Sequence, residues 1–164
     1  MELWELTDKH GVPTGKIYNR ASGKEIPEGY YFRVAEIWVR AEGEMLVTQR
    51  HPQKWAGLEW EVPGGGVVMG ESPEEAAYRE LSEEVGILAQ RGALKLVSTM
   101  THKCAIVYSF YLELDKKPEI TLQESEVVDH VWADFDKLSL MKEKMTVGTS
   151  SRMELIRDFV GGGK

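Results

Sequence analysis

Three glutamates stand close together in a segment with the signals of a helix: Glu80, Glu83 and Glu84. At about 100° per residue they project from one face, where each pair of like charges costs on the order of 0.2–0.5 kcal/mol. A hard divalent cation, Mg²⁺ or Mn²⁺, would compensate this repulsion, because such ions prefer carboxylate oxygens and often share their shell with substrate phosphates. The alternative is a solvated helix face on which Arg79 pairs with Glu75 and Glu83 at the favourable spacing of four.

The element that must position these glutamates is a helix predicted over Pro73 to Val85. Ser72 is a suitable N-cap, proline fits the first turn, and Glu75 can complete a capping box with Ser72. Gly86 supplies the left-handed residue that commonly ends a helix. An apolar stripe beside the glutamates predicts packing on a core. Its residues are Ala77, Leu81 and Val85.

The helix lies in a fixed frame, from Gly65 to Ile87, that resembles the complete Nudix box. The matching residues are Gly65, Glu71, Arg79, Glu80, Leu81, Glu83, Glu84, Gly86 and Ile87. The resemblance implies a Nudix domain of the α/β class, an αβα sandwich in which a mixed β-sheet is flanked by helices. It also implies a metal-dependent pyrophosphohydrolase, which cleaves a diphosphate linkage in a nucleoside diphosphate joined to another moiety.

The resemblance further implies roles for individual residues. The metal ligands, for Mg²⁺ or Mn²⁺, would be Glu80, Glu83, Glu84 and the carbonyl of Gly64. Water would be the nucleophile, because a bound cation lowers its pKa. Glu71 and Arg79 are expected to form a supporting ion pair that holds the loop and the helix together.

Further candidate residues lie outside the box. Arg50 closes a predicted strand and is expected, with Glu61, to bind substrate, although a solvated arginine at a strand end would fit the same pattern. An acidic loop before a strand at residues 127–132 resembles another recurring Nudix element, from which a carboxylate reaches the metal site. Either Glu124 or Glu126 would serve there, as an extra ligand or as the base that activates water, and the pattern does not choose between them.

Length and composition indicate one globular domain. The chain has 164 residues, of which 42% are hydrophobic and 29% charged, and these values are ordinary for a single core. We expect one domain over residues 1–164, with an N-terminal hairpin extension over residues 1–31 and a disordered glycine tail over residues 161–164. The exposed hairpin is also compatible with a homodimer.

The net charge of −7 limits the class of partner. It argues against binding to a nucleic-acid backbone and favours a small-molecule diphosphate substrate, nucleotide-derived, whose charge is offset by metal or local arginines. The single Cys104 excludes an internal disulfide and a four-cysteine zinc site. No leader and no run of eighteen apolar residues is evident, so we expect a cytoplasmic protein without a membrane segment.

The remaining elements follow from alternating apolar residues and turn signals. Strands are expected over residues 2–7 and 13–18, which form the N-terminal hairpin, and over residues 32–40, 45–50, 93–100 and 105–114. A loop is expected over residues 51–59. A helix should start at Asp134, and Ser150 or Ser151 should cap the last helix.

Two functions other than hydrolysis are compatible with parts of the sequence. The opening segment from Asp8 to Lys16 resembles the branch of Nudix proteins related to isopentenyl diphosphate isomerase. Those isomerases use a cysteine shortly before the box, but residues 60–65 contain none and Cys104 follows the helix. A Nudix-like module that senses a nucleotide without cleaving it is the second alternative. Such a module would be expected to lack box glutamates, and none is missing.

Overall fold

The computed structural model describes residues 2–162. The strands are β1 (Leu3–Thr7), β2 (Pro13–Asn19), β3 (Phe32–Ala41), β4 (Glu44–Arg50), β5 (Trp60–Glu61), β6 (Gly64–Gly66), β7 (Lys95–His102), β8 (Ala105–Leu114) and β9 (Val127–Ala133). The helices are α1 (Pro73–Val85), α2 (Phe135–Met141) and α3 (Val147–Gly161). Short 3₁₀ turns cover Arg20–Ser22 and Lys142–Lys144.

A mixed sheet of seven strands forms the centre of the molecule, and β1 and β2 form a separate antiparallel hairpin. The central pair is β3 and β8, which run parallel from Phe32 opposite Ala105 to Ala41 opposite Leu114. The other pairings are antiparallel: β3 with β4 and β6, β4 with β5 and β9, and β7 with β8. The α/β architecture with a mixed sheet and an N-terminal hairpin is therefore confirmed.

The two faces of β3 pack against different helices, because side chains alternate along a strand. Ile37 belongs to a buried cluster that includes Leu81 and the rest of the predicted stripe of α1. Trp38 belongs to a second cluster, with Leu138 of α2 and Ile156 of α3. The sheet is thus the middle layer of a three-layer sandwich.

The N-terminal hairpin packs on the sheet through Trp4. The indole stacks on Phe32, with ring centroids 4.6 Å apart, and on Tyr18 at 5.8 Å. Gly66 of β6 permits this approach, because a Cβ atom at that position would lie 2.7 Å from Trp4 Nε1. The hairpin therefore packs directly beside the box glycines.

The predicted cap of the last helix is wrong. Helix α3 begins at Val147, and its N-cap is Thr146, whose hydroxyl accepts a hydrogen bond from the Thr149 amide at 3.3 Å. Ser150 and Ser151 lie inside the helix. Their hydroxyls donate to carbonyls three residues earlier, at 3.3 and 2.9 Å.

The predicted disordered tail begins too early. Gly161 is the last residue of α3, and the amide of Gly162 donates to the Asp158 carbonyl at 2.8 Å. Gly163 and Lys164, the rest of that prediction, lie outside the described residues. Within residues 2–162, none of the helices has the length and apolar character needed to cross a membrane.

A buried ion pair connects α3 to β3. Arg152 donates to Glu36 from Nε, at 2.5 Å, and from Nη2. The same carboxylate accepts hydrogen bonds from Ser109 Oγ at 2.6 Å and from Trp38 Nε1 at 3.0 Å. The side chains of the pair are only 8% and 7% exposed, so removal of one partner leaves the other charge buried and uncompensated.

Arg152→Met should therefore lower the free energy of unfolding by about 3–5 kcal/mol, because Glu36 loses its buried counter-ion. Glu36→Gln combined with Arg152→Met removes both charges and should recover most of the loss. Urea unfolding followed by circular dichroism measures both variants, and Glu154→Gln on the exposed side of α3 is the control. A double variant as unstable as the single one would contradict the buried charge as the cause.

Candidate active site

A cavity of about 730 Å³ lies where the hairpin, the box and the start of α3 meet. Trp4 of the hairpin, Phe32 of β3 and Gly148 of α3 contribute to its lining. Its acidic part is lined by Glu61, Glu80, Glu83, Glu84 and Glu126. Segments distant in the sequence therefore converge on the part of α1 that carries the box glutamates.

Helix α1 has defined caps at both ends. Ser72 Oγ accepts from the Glu75 amide at 3.2 Å, and Glu75 Oε2 accepts from the Ser72 amide at 2.9 Å, so the predicted capping box is present. Gly86, with φ +72°, ends the helix as predicted. Because Glu75 is used in this cap, the ion pair between Glu75 and Arg79 of the alternative interpretation is not formed, whereas Glu83 does contact Arg79.

Arg79 connects the box loop to the helix. Its Nε and Nη2 donate to the two oxygens of Glu71 at 2.7 and 3.0 Å. Nη1 donates to Glu80 at 2.7 Å and to Glu83 at 3.1 Å, and Nη2 also donates to the Gly66 carbonyl at 3.0 Å. All five N–H groups of the guanidinium therefore have an acceptor. The hydrogen bonds to Glu71 raise the pKa of Arg79, and the charge of Glu80 adds to the effect.

Glu84 lies in a different environment from its two neighbours on the helix. It is 3% exposed, and its Oε2 accepts from the Gly64 amide at 3.0 Å. Lys54 Nζ is 3.9 Å from its other oxygen. Burial raises the pKa of Glu84 to about 8, and the negative charges of Glu80 and Glu61 add to this shift. A cation bound beside Glu84 would stabilise its charged form and so oppose the effect of burial.

Arg50 and Glu61 face each other across β4 and β5. Arg50 Nη1 donates to Glu61, and Arg50 Nε donates to the Trp55 carbonyl at 2.8 Å. The side chains are 13% and 18% exposed, so Arg50 is not the solvated strand-end arginine of the alternative interpretation. Burial raises the pKa of Glu61, against the opposing effect of Arg50. Both residues line the cavity, and their role in substrate binding stays a prediction.

The acidic loop before β9 reaches the cavity through Glu126. Its Oε2 lies 2.6 Å from Lys54 Nζ, and its carbonyl accepts from the His51 amide at 2.9 Å. Glu124 is exposed and is not among the residues that line the cavity. Of the two candidates, the structure therefore brings Glu126 to the site and leaves Glu124 outside it.

Several charged residues of the cavity were not singled out from the sequence, and Glu36, Lys54 and Arg152 are among them. Glu36 carried a usable signal, because it is a charge within a strongly apolar strand and must find a partner when buried. No local pattern identifies Lys54, which belongs to an irregular loop, or relates it to Glu126. Arg152 is one of several polar residues in α3, and the local sequence does not distinguish it from the others.

The carboxylates of the box are not arranged as a preformed metal site in the described residues. Within residues 2–162, no three histidine, cysteine, aspartate or glutamate side chains are grouped so that they could hold a metal ion. Arg79 engages Glu80 and Glu83, and Glu84 accepts the amide of Gly64. The donor set nevertheless consists of carboxylate oxygens, which suits a hard cation, and the metal-binding roles stay predictions.

The lining of the cavity contains more acid than base, with seven glutamates and five arginines or lysines among the described residues. Each cation is already paired with a carboxylate: Arg20 with Glu2, Arg50 with Glu61, Lys54 with Glu126, Arg79 with Glu71, and Arg152 with Glu36. An anionic ligand therefore needs either an additional cation or the release of one of these pairs.

Comparison with known sequences identifies the domain. A family model described as the NUDIX domain matches residues 31–154. An RNA pyrophosphohydrolase of Vibrio atlanticus is 36% identical over 75 residues, which are 46% of this chain and 40% of that protein. The chain thus spans less than half the length of this relative. An uncharacterised Nudix hydrolase of Listeria monocytogenes is 25% identical over 147 residues, which cover 87% of this chain and 85% of that protein.

Solved structures share the fold. DR0079 from Deinococcus radiodurans has a TM-score of 0.78 at 19% identity, covering 93% of this chain and 98% of its own. A bifunctional NMN adenylyltransferase/ADP ribose pyrophosphatase from Francisella tularensis, complexed with AMP and a Mn ion, has a TM-score of 0.68 at 18% identity, covering 81% of this chain and 42% of its own. These structural matches support the architecture alone. Because the family model spans most of the chain, this protein belongs to the Nudix family.

Proposed function

We propose that the protein is a metal-dependent hydrolase that cleaves a diphosphate linkage in a nucleoside diphosphate joined to another moiety. The observation that carries the proposal is the acidic end of the cavity, where Glu84 is buried with a raised pKa. Such a site is unfavourable without an added cation, and a phosphate ligand supplies the matching charge. Membership of the Nudix family supports the same assignment.

Glu80, Glu83 and Glu84 would hold Mg²⁺ or Mn²⁺, with the Gly64 carbonyl as a further ligand. When bound, the cation neutralises phosphate charge and lowers the pKa of water. Glu126 accepts a proton from the water that attacks phosphorus, and the bond from phosphorus to the bridging oxygen breaks. Lys54, at 2.6 Å, orients the carboxylate of Glu126.

The two alternative functions have weaker support. An isomerase of the type suggested by the hairpin would need a cysteine at the site, but Cys104 lies between β7 and β8 and is not among the cavity-lining residues. A module that only senses nucleotides would not need a base beside the box. Glu126 provides one, and Glu80, Glu83 and Glu84 all line the same cavity.

With Mg²⁺, the purified protein should hydrolyse at least one member of a panel of ADP-ribose, dinucleoside polyphosphates, nucleotide sugars and RNA with a 5′-triphosphate, and EDTA should abolish the reaction. Glu83→Gln combined with Glu84→Gln should lower turnover by on the order of 100-fold or more, because the charge stabilisation by metal is worth several kcal/mol. Anion-exchange chromatography measures the products. Conversion of isopentenyl diphosphate to its dimethylallyl isomer would instead support the isomerase.

Glu84 also predicts how stability depends on pH without metal. A carboxyl whose pKa rises from 4.5 unfolded to about 8 folded binds its proton more tightly in the native state, so stability falls as pH rises through this window. In EDTA, the Tm of the wild type should fall between pH 5 and pH 8, and Glu84→Gln should reduce the fall. Thermal unfolding monitored by circular dichroism checks this, with Glu124→Gln as the control outside the cavity. Parallel Tm profiles for wild type and Glu84→Gln would contradict it.

Arg79 should act by positioning the box carboxylates. Arg79→Ala should lower turnover and weaken metal binding together, by about 10–100-fold, with partial recovery at high Mg²⁺. Arg79→Lys should recover little, because an ammonium group cannot bind Glu71 through two parallel hydrogen bonds. Kinetics at several Mg²⁺ concentrations and calorimetric titration measure both effects, and Arg91→Ala, outside the cavity, is the control. Unchanged turnover and metal requirement in Arg79→Ala would refute the positioning role.

A further inference from the structure

Trp55 is an exposed aromatic residue on the lining of the cavity. The residue is 78% exposed, although tryptophan normally buries most of its large apolar surface. Val147, at the start of α3, lines the same cavity and is 65% exposed. The lining of the cavity therefore includes exposed apolar surface in addition to its acidic part.

The loop that carries Trp55 is strained and tightly bonded. Ala56 and Leu58 have left-handed backbones, with φ of +54° and +68°, which residues other than glycine rarely adopt. Arg50 holds the loop, because its Nε donates to the Trp55 carbonyl at 2.8 Å and its carbonyl accepts from the Leu58 amide at 3.1 Å. Gln49 adds a hydrogen bond to the Leu58 carbonyl at 3.0 Å. Strain that is held in place by such contacts is characteristic of functional loops.

The neighbouring residue fixes the loop to the acidic end of the cavity. Lys54 Nζ lies 2.6 Å from Glu126 and 3.9 Å from Glu84, and consecutive Cα atoms are only about 3.8 Å apart. Trp55 is therefore placed next to the part of the site proposed to take the phosphates. A ligand that contacts both the acidic end and the indole would carry a flat group joined to its phosphate by a short linker.

An open aromatic surface selects among the groups that a diphosphate can carry. A ligand stacked on Trp55 keeps its other face in water, which is costly for a prenyl chain and acceptable for a base with polar edges. A sugar has no π-system, so it can contact the indole only through its C–H groups, whereas a base stacks with its whole ring. Stacking between a base and an aromatic side chain tolerates any base, because every base has a π-face.

We propose that Trp55 is the platform on which the base of a nucleotide substrate stacks. This inference rests on the proposed function and adds its specificity: the residue distinguishes nucleotides from prenyl and sugar diphosphates and does not select among the bases. Trp55 contacts only the base, so it contributes to binding and leaves the chemistry to the box.

The test compares AMP and CMP with ribose 5-phosphate, which lacks only the base, by calorimetric titration in Mg²⁺. Wild type should bind both nucleotides about 5- to 100-fold more tightly than ribose 5-phosphate, the range of one base–aromatic stack. Trp55→Ala should remove this difference, and Trp55→Phe should keep part of it. Leu58→Ala, in the same loop but outside the cavity lining, should bind as wild type does.

The same titration gives the outcomes that would contradict the proposal. Equal or absent binding of AMP and ribose 5-phosphate by wild type would overturn it, and this comparison does not depend on the folding of any variant. AMP binding by Trp55→Ala at wild-type affinity would overturn it too. Hydrolysis of a nucleotide substrate with a KM unchanged in Trp55→Ala would reject the platform and leave the hydrolase standing. Base-dependent AMP binding without metal-dependent hydrolysis would support the platform and reject the hydrolase.

Discussion

Negative charge inside a partly buried cavity determines how the side chains of the box are paired. Carboxylates at low dielectric repel one another and lose hydration, so each needs a donor or a cation. Arg79 meets this need for Glu71, Glu80 and Glu83, because all five of its N–H groups are used within the box. Glu84 has only the Gly64 amide and a more distant Lys54. The imbalance at Glu84 distinguishes a site that can accept a cation from an ion-pair network that is already complete.

The glycines of the box satisfy a steric requirement as well. A Cβ atom at Gly65 would lie 2.3 Å from Glu80 Oε1, so any side chain there would displace a carboxylate that Arg79 holds. The next glycine, Gly66, makes room for Trp4. The same short strand therefore sets the position of Glu80 and the approach of the hairpin. Packing of the N-terminal extension and geometry of the acidic site are linked through two adjacent residues.

Local signals in the sequence predicted much of the fold. The capping box and Gly86 gave the bounds of α1 as observed, because both ends depend on residues that are close in sequence. The start of α3 was misplaced because Thr146, Ser150 and Ser151 all offer a hydroxyl, and only tertiary packing decides which one caps. For the candidate site, the box was readable as one segment. Contacts between distant segments, such as that of Lys54 with Glu126, could not be predicted because no local pattern records them.

The site thus divides into two parts with different origins in the chain. One helix supplies Glu80, Glu83 and Glu84, so the spacing of these carboxylates is fixed by helical geometry and can be recognised from the sequence. Other parts of the lining belong to the hairpin, β3, the loop after β4 and the start of α3. Loop residues there can change without disturbing the helix, because they contribute little to its core. Membership of the family therefore supports the proposed chemistry, whereas the substrate must be inferred from the cavity-lining side chains outside the box.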